Sequence, residues 1–349
     1  HVFPALAVAE LLRARQSQVE WLGTRRGIEA DLVPAHDFRL HCIRVSGLRG
    51  KGFFSWLLAP FRLAVALFDA LRLLRRVQPE LVLGMGGFAS GPGGVAAWLL
   101  RRPLVIHEQN SVAGLTNRLL AGIAREVLEA FPGSFSGRVE TRVIGNPVRP
   151  EIAALPEPAK RFAGRSGPLR LLVLGGSQGA LVLNETLPAA VALLAEHERP
   201  VIRHQAGSRT IEQAREAYAR VSVPVELEEF IDDMADAYAW ADFVVCRAGA
   251  LTIAELAAAG LGSILVPFPS AVDDHQTRNA RFLVDADAAV LIPQKALGPG
   301  SLAAELRNWT KGRERPLLRA SRARELARPD AALRLADACR STARVEVPA

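Results

Sequence analysis

Only four of the 43 basic residues in this chain of 349 are lysines, although the net charge is +7. Nucleic-acid sites more often show clustered lysines with exposed aromatics for stacking, so the excess of arginine does not read as a nucleic-acid surface. Cysteine is equally sparse. Cys42, Cys246 and Cys339 lie far apart, with no CxxC pair and no metal-like spacing. That excludes a disulfide framework and a zinc module, and it fits ordinary thiols in a reducing compartment such as the cytosol. Long apolar runs are missing as well. The best stretch, residues 53 to 74, is broken by Pro60, Arg62, Asp69 and Arg72, whereas a membrane span needs about 20 predominantly apolar residues. No secretory signal is expected. The chain instead runs from His1 straight into a helical pattern, FPALAVAELLRAR. Because α/β domains normally open on a central strand, a strand and its glycine turn are expected upstream of His1.

What is abundant is an alternation of strand-length apolar runs with helix-period segments, the mark of βαβ units on parallel sheets. Hydrophobic residues make up 50% of the chain, enough for two cores, and the length suggests about two domains. In the first half, strands are expected near 19–23, 38–45, 80–84, 103–107, 125–130 and 142–145. The second half repeats the plan near 169–174, 201–205, 225–229, 242–246, 263–267 and 289–292. Residues 147 to 168, rich in proline, alanine and charge, read as an interdomain connection. The expected organisation is therefore an α/β chain with one domain over 1–147, a second over 168–328, and a C-terminal helix in 329–349 returning to brace the first.

Two Gly-rich stretches follow apolar strands: LVLGMGGFASGPGG at 81–94 and LLVLGGSQGA at 171–180. Strand, Gly-rich turn and helix in that order bring backbone N–H groups and the positive end of a helix dipole against a phosphate. Ligands of doubly wound sheets sit beyond the carboxyl ends of the strands, so two such domains point to an interdomain cleft. A dinucleotide-dependent oxidoreductase would need GxGxxG and an acid at the end of the next strand. That strand, VIRHQ, ends in Gln205.

Further polar groups follow the strands. In CRAGALTIAELAAAG (246–260), Thr252 and Glu255 are three apart at a helix start. This spacing fits a capping box, and it equally fits a carboxylate gripping the two hydroxyls of a ribose. The turn VPFPSAVDDHQTRNA (266–280) presents His275, Gln276 and Asn279, amides suited to a sugar or simply a solvated helix start. Arg149, ending GNPVR, could pair with a diphosphate in bidentate fashion. His1 gains interest only from its place where a Gly-rich turn would meet its helix.

GMGGF-x-SGPGG, HEQN-x-x-AGLTN, GNPVR, GGSQGA, FIDDM-x-x-AYAWAD, CRAGALT-x-x-E and DDHQT-x-NA occur in this order along nearly the whole chain. Together they resemble the MurG family of bacterial transferases. The resemblance implies a GT-B fold: two Rossmann-like, doubly wound parallel-sheet domains facing a cleft. It also implies inverting transfer of N-acetylglucosamine from UDP-N-acetylglucosamine to the muramyl 4-hydroxyl of lipid I. The product is lipid II, for peptidoglycan synthesis, cell shape and cell division. No metal or cofactor is implied.

Carried over by motif, Ser177 and Arg149 hold the diphosphate and Ile231 contacts uracil through its backbone. Ala250, Leu251 and Thr252 line the diphosphate side, Ile253 and Ala254 continue the substrate-binding stretch, and Glu255 takes the ribose. Gln276 binds sugar hydroxyls, Asn110 contacts the donor, and His1, matching the last residue of the family's GGTGGH loop, is the general base. The glycines of that loop are not in this chain. Leu181 stands where an arginine often follows GGSQGA, and His275 stands where some members have glutamine. A UDP-sugar epimerase of the same fold and a non-catalytic, membrane-associated nucleotide binder are the rival readings.

The acceptor's lipid anchor implies work at the cytoplasmic face of the inner membrane. Between Arg44 and Arg76 seven basic residues face one acid, Asp69, among bulky apolar side chains. Leu48, Phe53, Phe54 and Trp56 are the expected membrane-facing residues on an anionic lipid surface. A core-facing crossover helix is the plain alternative for 55–76. Replacing Phe53, Phe54 and Trp56 with serine is expected to reduce co-sedimentation with anionic vesicles and activity on a membrane-embedded acceptor, while sparing a water-soluble acceptor analogue. Equal loss on both acceptors would place the segment in the core.

Overall fold

The computed structural model describes residues 1–45, 59–135, 137, 139–176, 179–269 and 274–344. It divides into two units, His1–Val148 with Asp330–Ala349, and Arg149–Pro329. All strand pairs are parallel.

Among the described residues the six strands of the first unit fall into two sheets. Strands β1 (Glu20–Gly23) and β2 (Arg39–Cys42) pair with each other, while β3 (Val82–Gly84), β4 (Leu104–Glu108), β5 (Glu126–Glu129) and β6 (Arg142–Val143) form a second sheet in chain order. Every residue of β4 is buried, as expected for a parallel strand covered on both faces. The helix Val2–Ala14 serves both sheets. Its Leu6 and Ala9 pack with Val33 and Phe38 beside the pair, and its Val8 packs with Val105, Leu128 and Ile144 on the larger sheet.

The C-terminal helix Ala331–Arg344 completes that second cluster through Leu335, Ala336, Ala338 and Cys339. Asp337 on this helix pairs with Arg15, and the Thr342 hydroxyl donates to Glu126 at 3.3 Å.

Helix Ala59–Val77 buries a stripe of Ala66, Ala70 and Leu74, spaced four apart so that they share one face, against Ala96 and Ala97. Its opposite side leaves Phe61 and Phe68 exposed, and Leu63 is exposed near the helix start. The helix is thus core-facing along one stripe and apolar toward solvent along another. Leu48, Phe53, Phe54 and Trp56 lie outside the described residues. No described helix is long and apolar enough to cross a membrane.

The second unit is one six-stranded sheet. Strands β7 (Arg170–Leu174), β8 (Val201–Gln205), β9 (Glu226–Glu228), β10 (Phe243–Cys246), β11 (Gly262–Leu265) and β12 (Ala289–Leu291) lie in the order β12-β11-β10-β7-β8-β9. This is the doubly wound order, whose direction reverses between its first and fourth strands. Its core joins Leu171, Val173, Phe243, Val245 and Ile264 to Leu183 and Leu187 of helix Leu181–Ala192. Trp309, fully buried, stacks on Phe243 with ring centroids 5.2 Å apart.

The segment expected to be a bare connection belongs to this unit. It forms helices Pro150–Ala153 and Pro158–Phe162, buries Ile152 and Phe162, and sends Arg161 to the carbonyls of Ala259 and Gly260. Prolines placed at helix starts, where a missing N–H costs nothing, gave the stretch its linker-like composition.

Two histidines are buried inside strands. Burial alone pushes His204 down to about 3 from the ordinary 6.5, and it is the main cause that brings His107 to about 4. The unfolded chain therefore binds protons below 6.5 that the fold refuses, so stability is complete above 6.5 and falls as pH drops toward 4. At pH 5 the loss is on the order of 2 kcal/mol per histidine. Thermal melts of His204→Phe should show a weaker fall of Tm between pH 7 and 5 than the unaltered protein. An unchanged slope would assign the acid sensitivity to other groups.

Candidate functional site

The doubly wound order places the crevice of the second unit beyond the carboxyl ends of β7 and β10. After β7 the chain turns at Gly175 and Gly176, and the amide of Gly179 donates to the Gly176 carbonyl at 2.9 Å. Gly179 has φ +80°, and a Cβ on it would come within 2.3 Å of the Ala206 carbonyl oxygen. Only glycine fits, because the turn runs against the loop after β8. Buried Asn184 holds that loop from the next helix, donating to the Ala206 carbonyl and to the carbonyl and hydroxyl of Thr210 at 3.0–3.1 Å. Ser177 lies outside the described residues.

An open pocket of about 630 Å³ adjoins this turn, lined by Gly175, Gly179, Glu185, Arg247, Phe268 and Gln276 among others. The Arg247 guanidinium donates to the carbonyls of Val266 and Pro267 and sits 5.4 Å above the Phe268 ring. Gln276 Oε1 accepts the Phe268 amide at 2.9 Å, which fixes the side chain on the loop after β11 and aims its amide nitrogen elsewhere.

Next to the turn, helix Ala250–Ala259 begins at Gly249. Its first intrahelical bond runs from the Ile253 amide to the Gly249 carbonyl at 2.9 Å, so the amides of residues 250 to 252 precede the ladder, as at any helix start. Ile253 itself is fully buried, and its amide is taken by the Gly249 carbonyl. Thr252 lies inside the first turn, not at the cap. That removes the capping-box reading, since Glu255 is engaged elsewhere.

Glu255 is the buried acid of the site. Its Oε1 accepts from Arg149 Nη2 at 3.0 Å and from Nε at 3.3 Å, and its Oε2 accepts the Tyr238 hydroxyl at 3.1 Å. Burial raises its pKa, and the Arg149 guanidinium counteracts that rise. Tyr238, fully buried beside the carboxylate, is pushed well above 10 and remains a donor. Ile231, by contrast, is buried in the loop after β9 and does not line the pocket.

The first unit gathers a separate polar cluster after β3 and β4. His1 Nδ1 lies 2.5 Å from Gln109 Oε1, and its ring rests on Gly86. Buried Glu108 organises the loop after β4. One carboxylate oxygen accepts the backbone and side-chain amides of Asn110 at 2.9 and 3.2 Å, and the other accepts from Gly114 and Asn117. No group of three or more histidine, cysteine or acidic side chains could hold a metal ion among the described residues.

Residues 1–129 match the glycosyltransferase family 28 N-terminal domain, and residues 170–335 match the family's C-terminal domain. The chain belongs to glycosyltransferase family 28. Relatives carrying the name UDP-N-acetylglucosamine--N-acetylmuramyl-(pentapeptide) pyrophosphoryl-undecaprenol N-acetylglucosamine transferase include one from Alkalilimnicola ehrlichii, 59% identical over 344 residues, covering 99% of this chain and 96% of the relative. Another, from Marinobacter nauticus, is 56% identical over 339 residues, with 97% and 93% covered. The crystal structure of Acinetobacter baumannii MurG superposes with a TM-score of 0.85 at 39% identity, covering 98% of this chain and 96% of that one. The family 28 chain therefore has the GT-B fold. A UDP-N-acetylglucosamine 2-epimerase, at 13% identity and a TM-score of 0.65, shares the fold alone.

Sequence reasoning missed three contacts of the second unit, Tyr238 with Glu255, Asn184 with the loop after β8 and Arg247 with the loop after β11, and it missed Glu108 in the polar cluster of the first unit. Tyr238 sits inside the quoted AYAWAD motif, and Arg247 inside CRAG, but neither spacing reveals the partner, Glu255 for the one and the carbonyls of Val266 and Pro267 for the other. Tyr238→Phe should cost about 1–3 kcal/mol in urea unfolding, because it leaves a buried carboxylate oxygen short of a donor. In a double-mutant cycle with Glu255→Gln the two changes should couple by at least about 0.5 kcal/mol. Additive effects would mean that the 3.1 Å contact carries no weight.

Proposed function

We propose that the chain transfers N-acetylglucosamine from UDP-N-acetylglucosamine to the 4-hydroxyl of the muramyl sugar on a pyrophosphoryl-undecaprenol carrier, inverting the anomeric carbon and making lipid II from lipid I. The observation that carries this reading is the 59% identity, over 99% of the chain, to a relative named for that transfer.

The assigned roles follow from what each side chain can offer. Glu255 uses the lone pairs left by Arg149 and Tyr238 to accept the ribose hydroxyls. Ser177, Arg149 and the first-turn amides of Ala250, Leu251 and Thr252 meet the diphosphate, whose charge grows as the bond to the anomeric carbon breaks. Preorganised donors of this kind are commonly the largest catalytic contribution. Gln276 takes sugar hydroxyls with its amide nitrogen, the Ile231 backbone meets uracil, and Asn110, oriented by Glu108, contacts the donor. His1 accepts the proton of the attacking hydroxyl, a task suited to imidazole near neutral pH. UDP leaves as a whole, and no covalent enzyme intermediate forms.

Peripheral docking at the cytoplasmic face of the inner membrane belongs to the same proposal. It is supported by Phe61, Leu63 and Phe68, exposed on a helix that also exposes Arg62, Arg72, Arg75 and Arg76. Aromatics and arginines on one exposed surface suit an anionic headgroup layer.

Incubation with UDP-N-acetylglucosamine and a lipid I analogue should release UDP and yield the disaccharide only when both are present. Conversion of the donor without acceptor would point to an epimerase, and binding without turnover to a non-catalytic role. Glu255→Gln should weaken UDP-N-acetylglucosamine binding by calorimetry about tenfold or more, the equivalent of a charge-assisted hydrogen bond of roughly 1.5–3 kcal/mol. Unchanged affinity in folded protein would remove Glu255 from the ribose contact.

A further inference from the structure

Four polar groups in the first unit form a line that begins at a backbone carbonyl and ends on His1. His107, fully buried on β4, has Nε2 2.9 Å from the Gly145 carbonyl oxygen. A carbonyl only accepts, so Nε2 carries the hydrogen, and in the neutral ring Nδ1 is left as an acceptor. Burial keeps that ring neutral, with its pKa lowered to about 4. Gln109 places its amide nitrogen 3.2 Å from His107 Nδ1 and 3.1 Å from the His107 carbonyl oxygen. Both are acceptors, so the amide is anchored NH₂-inward. Its carbonyl oxygen must then face the other way, toward His1.

Gln109 is itself held in place. It is 4% exposed, and its backbone carbonyl accepts from the Asn146 side chain at 2.9 Å. His1 Nδ1 lies 2.5 Å from Gln109 Oε1. Two acceptors cannot meet at that distance, so His1 Nδ1 bears a hydrogen. Gly86, with φ +82°, keeps the ring pressed onto this contact. A Cβ there would stand 3.1 Å from His1 Cε1 and 3.2 Å from Nδ1.

We propose that Gln109 is a positioning residue that presets the tautomer of His1, holding the hydrogen on Nδ1 and leaving the lone pair on Nε2, the nitrogen free to accept a proton. This rests on the reading of His1 as the general base. In the transfer step Nε2 takes the proton of the sugar hydroxyl as that oxygen bonds to the anomeric carbon and the bond to UDP breaks. The resulting imidazolium keeps its Nδ1–H on Gln109 Oε1 throughout. Because the two ring nitrogens are distinct, the partner of one decides what the other can do. An amide performs this task without adding a charge, whereas a carboxylate in its place would favour the imidazolium.

The test is nitrogen NMR on protein labelled at histidine, with the His1 signals assigned by their loss in His1→Gln. The unaltered protein should show His1, once neutral, protonated at Nδ1. Gln109→Leu should shift it toward the Nε2-protonated form, lowering kcat at least about tenfold with KM for UDP-N-acetylglucosamine within about twofold of the original. Gln109→Glu, which still accepts from Nδ1, should keep the tautomer and recover part of kcat.

An Nε2-protonated His1 in the unaltered protein would overturn the proposal, and so would a tautomer unmoved by Gln109→Leu in protein whose melting curve shows it folded. If Gln109→Leu does not fold, the tautomer of His1 in the unaltered protein decides, an Nδ1-protonated ring supporting the proposal and an Nε2-protonated ring overturning it. Full activity of His1→Gln would defeat the general-base reading alone, since the tautomer is measured independently of turnover.

Discussion

In the second unit β7 and β10 are neighbours, yet the chain leaves β7 toward β8 on one side and β10 toward β11 on the other. The two connections cannot fill the space between the strand ends from which they diverge, so a crevice opens there whatever the side chains are. The candidate site of this unit lies around that reversal. The glycine turn after β7, the helix start after β10 and the pocket between Gly175, Arg247 and Gln276 all border it. The turn is as tight as it is because Gly179 must pass within reach of the Ala206 carbonyl, and the Asn184 side chain holds both sides of that approach.

The polar interior follows a second regularity. Loops leaving parallel strands carry backbone N–H groups that need partners, and buried carboxylates at the strand ends supply them. Glu108 ends β4 and binds Asn110, Gly114 and Asn117, while Glu129 ends β5 and binds Gly133, Ser134 and Thr141. Arginines do the converse for carbonyls. Arg161, Arg313, Arg319 and Arg324 each donate to at least two backbone carbonyls of the second unit. A planar guanidinium can do this with a fixed fork, and an ammonium cannot. Part of the positive charge that looked like a surface property is therefore structural.

Much of the fold was legible in the sequence because it depends on local signals. Apolar runs of strand length separated by helix-period segments mark β7 through β12 within a few residues, and GGSQGA announces its turn through glycines that no other residue can replace. The family resemblance was legible for the same reason, since each motif is a short stretch at the end of a strand. Less legible was the membership of residues 149 to 168 in the second unit. It depends on which surfaces meet, and composition around proline carries no such information.

The sequence by itself determined the α/β class, the doubly wound second unit, the positions of the glycine turns and the choice of Glu255, Arg149, Gln276 and His1 as the groups worth following. Tertiary structure alone decided what those groups touch. The Thr-x-x-Glu spacing could equally be a helix cap or a ligand carboxylate. The cap was excluded only when Gly249 took the cap position and Glu255 met Arg149, 106 residues away, and Tyr238, 17 residues away. His1 is likewise an ordinary histidine until β4 brings Gln109 to its Nδ1 and the Gly145 carbonyl, two groups further on, settles which nitrogen holds the hydrogen. A hydrogen bond needs about 3 Å and a direction, and distances of that kind between residues far apart in the chain exist only once the sheets have assembled.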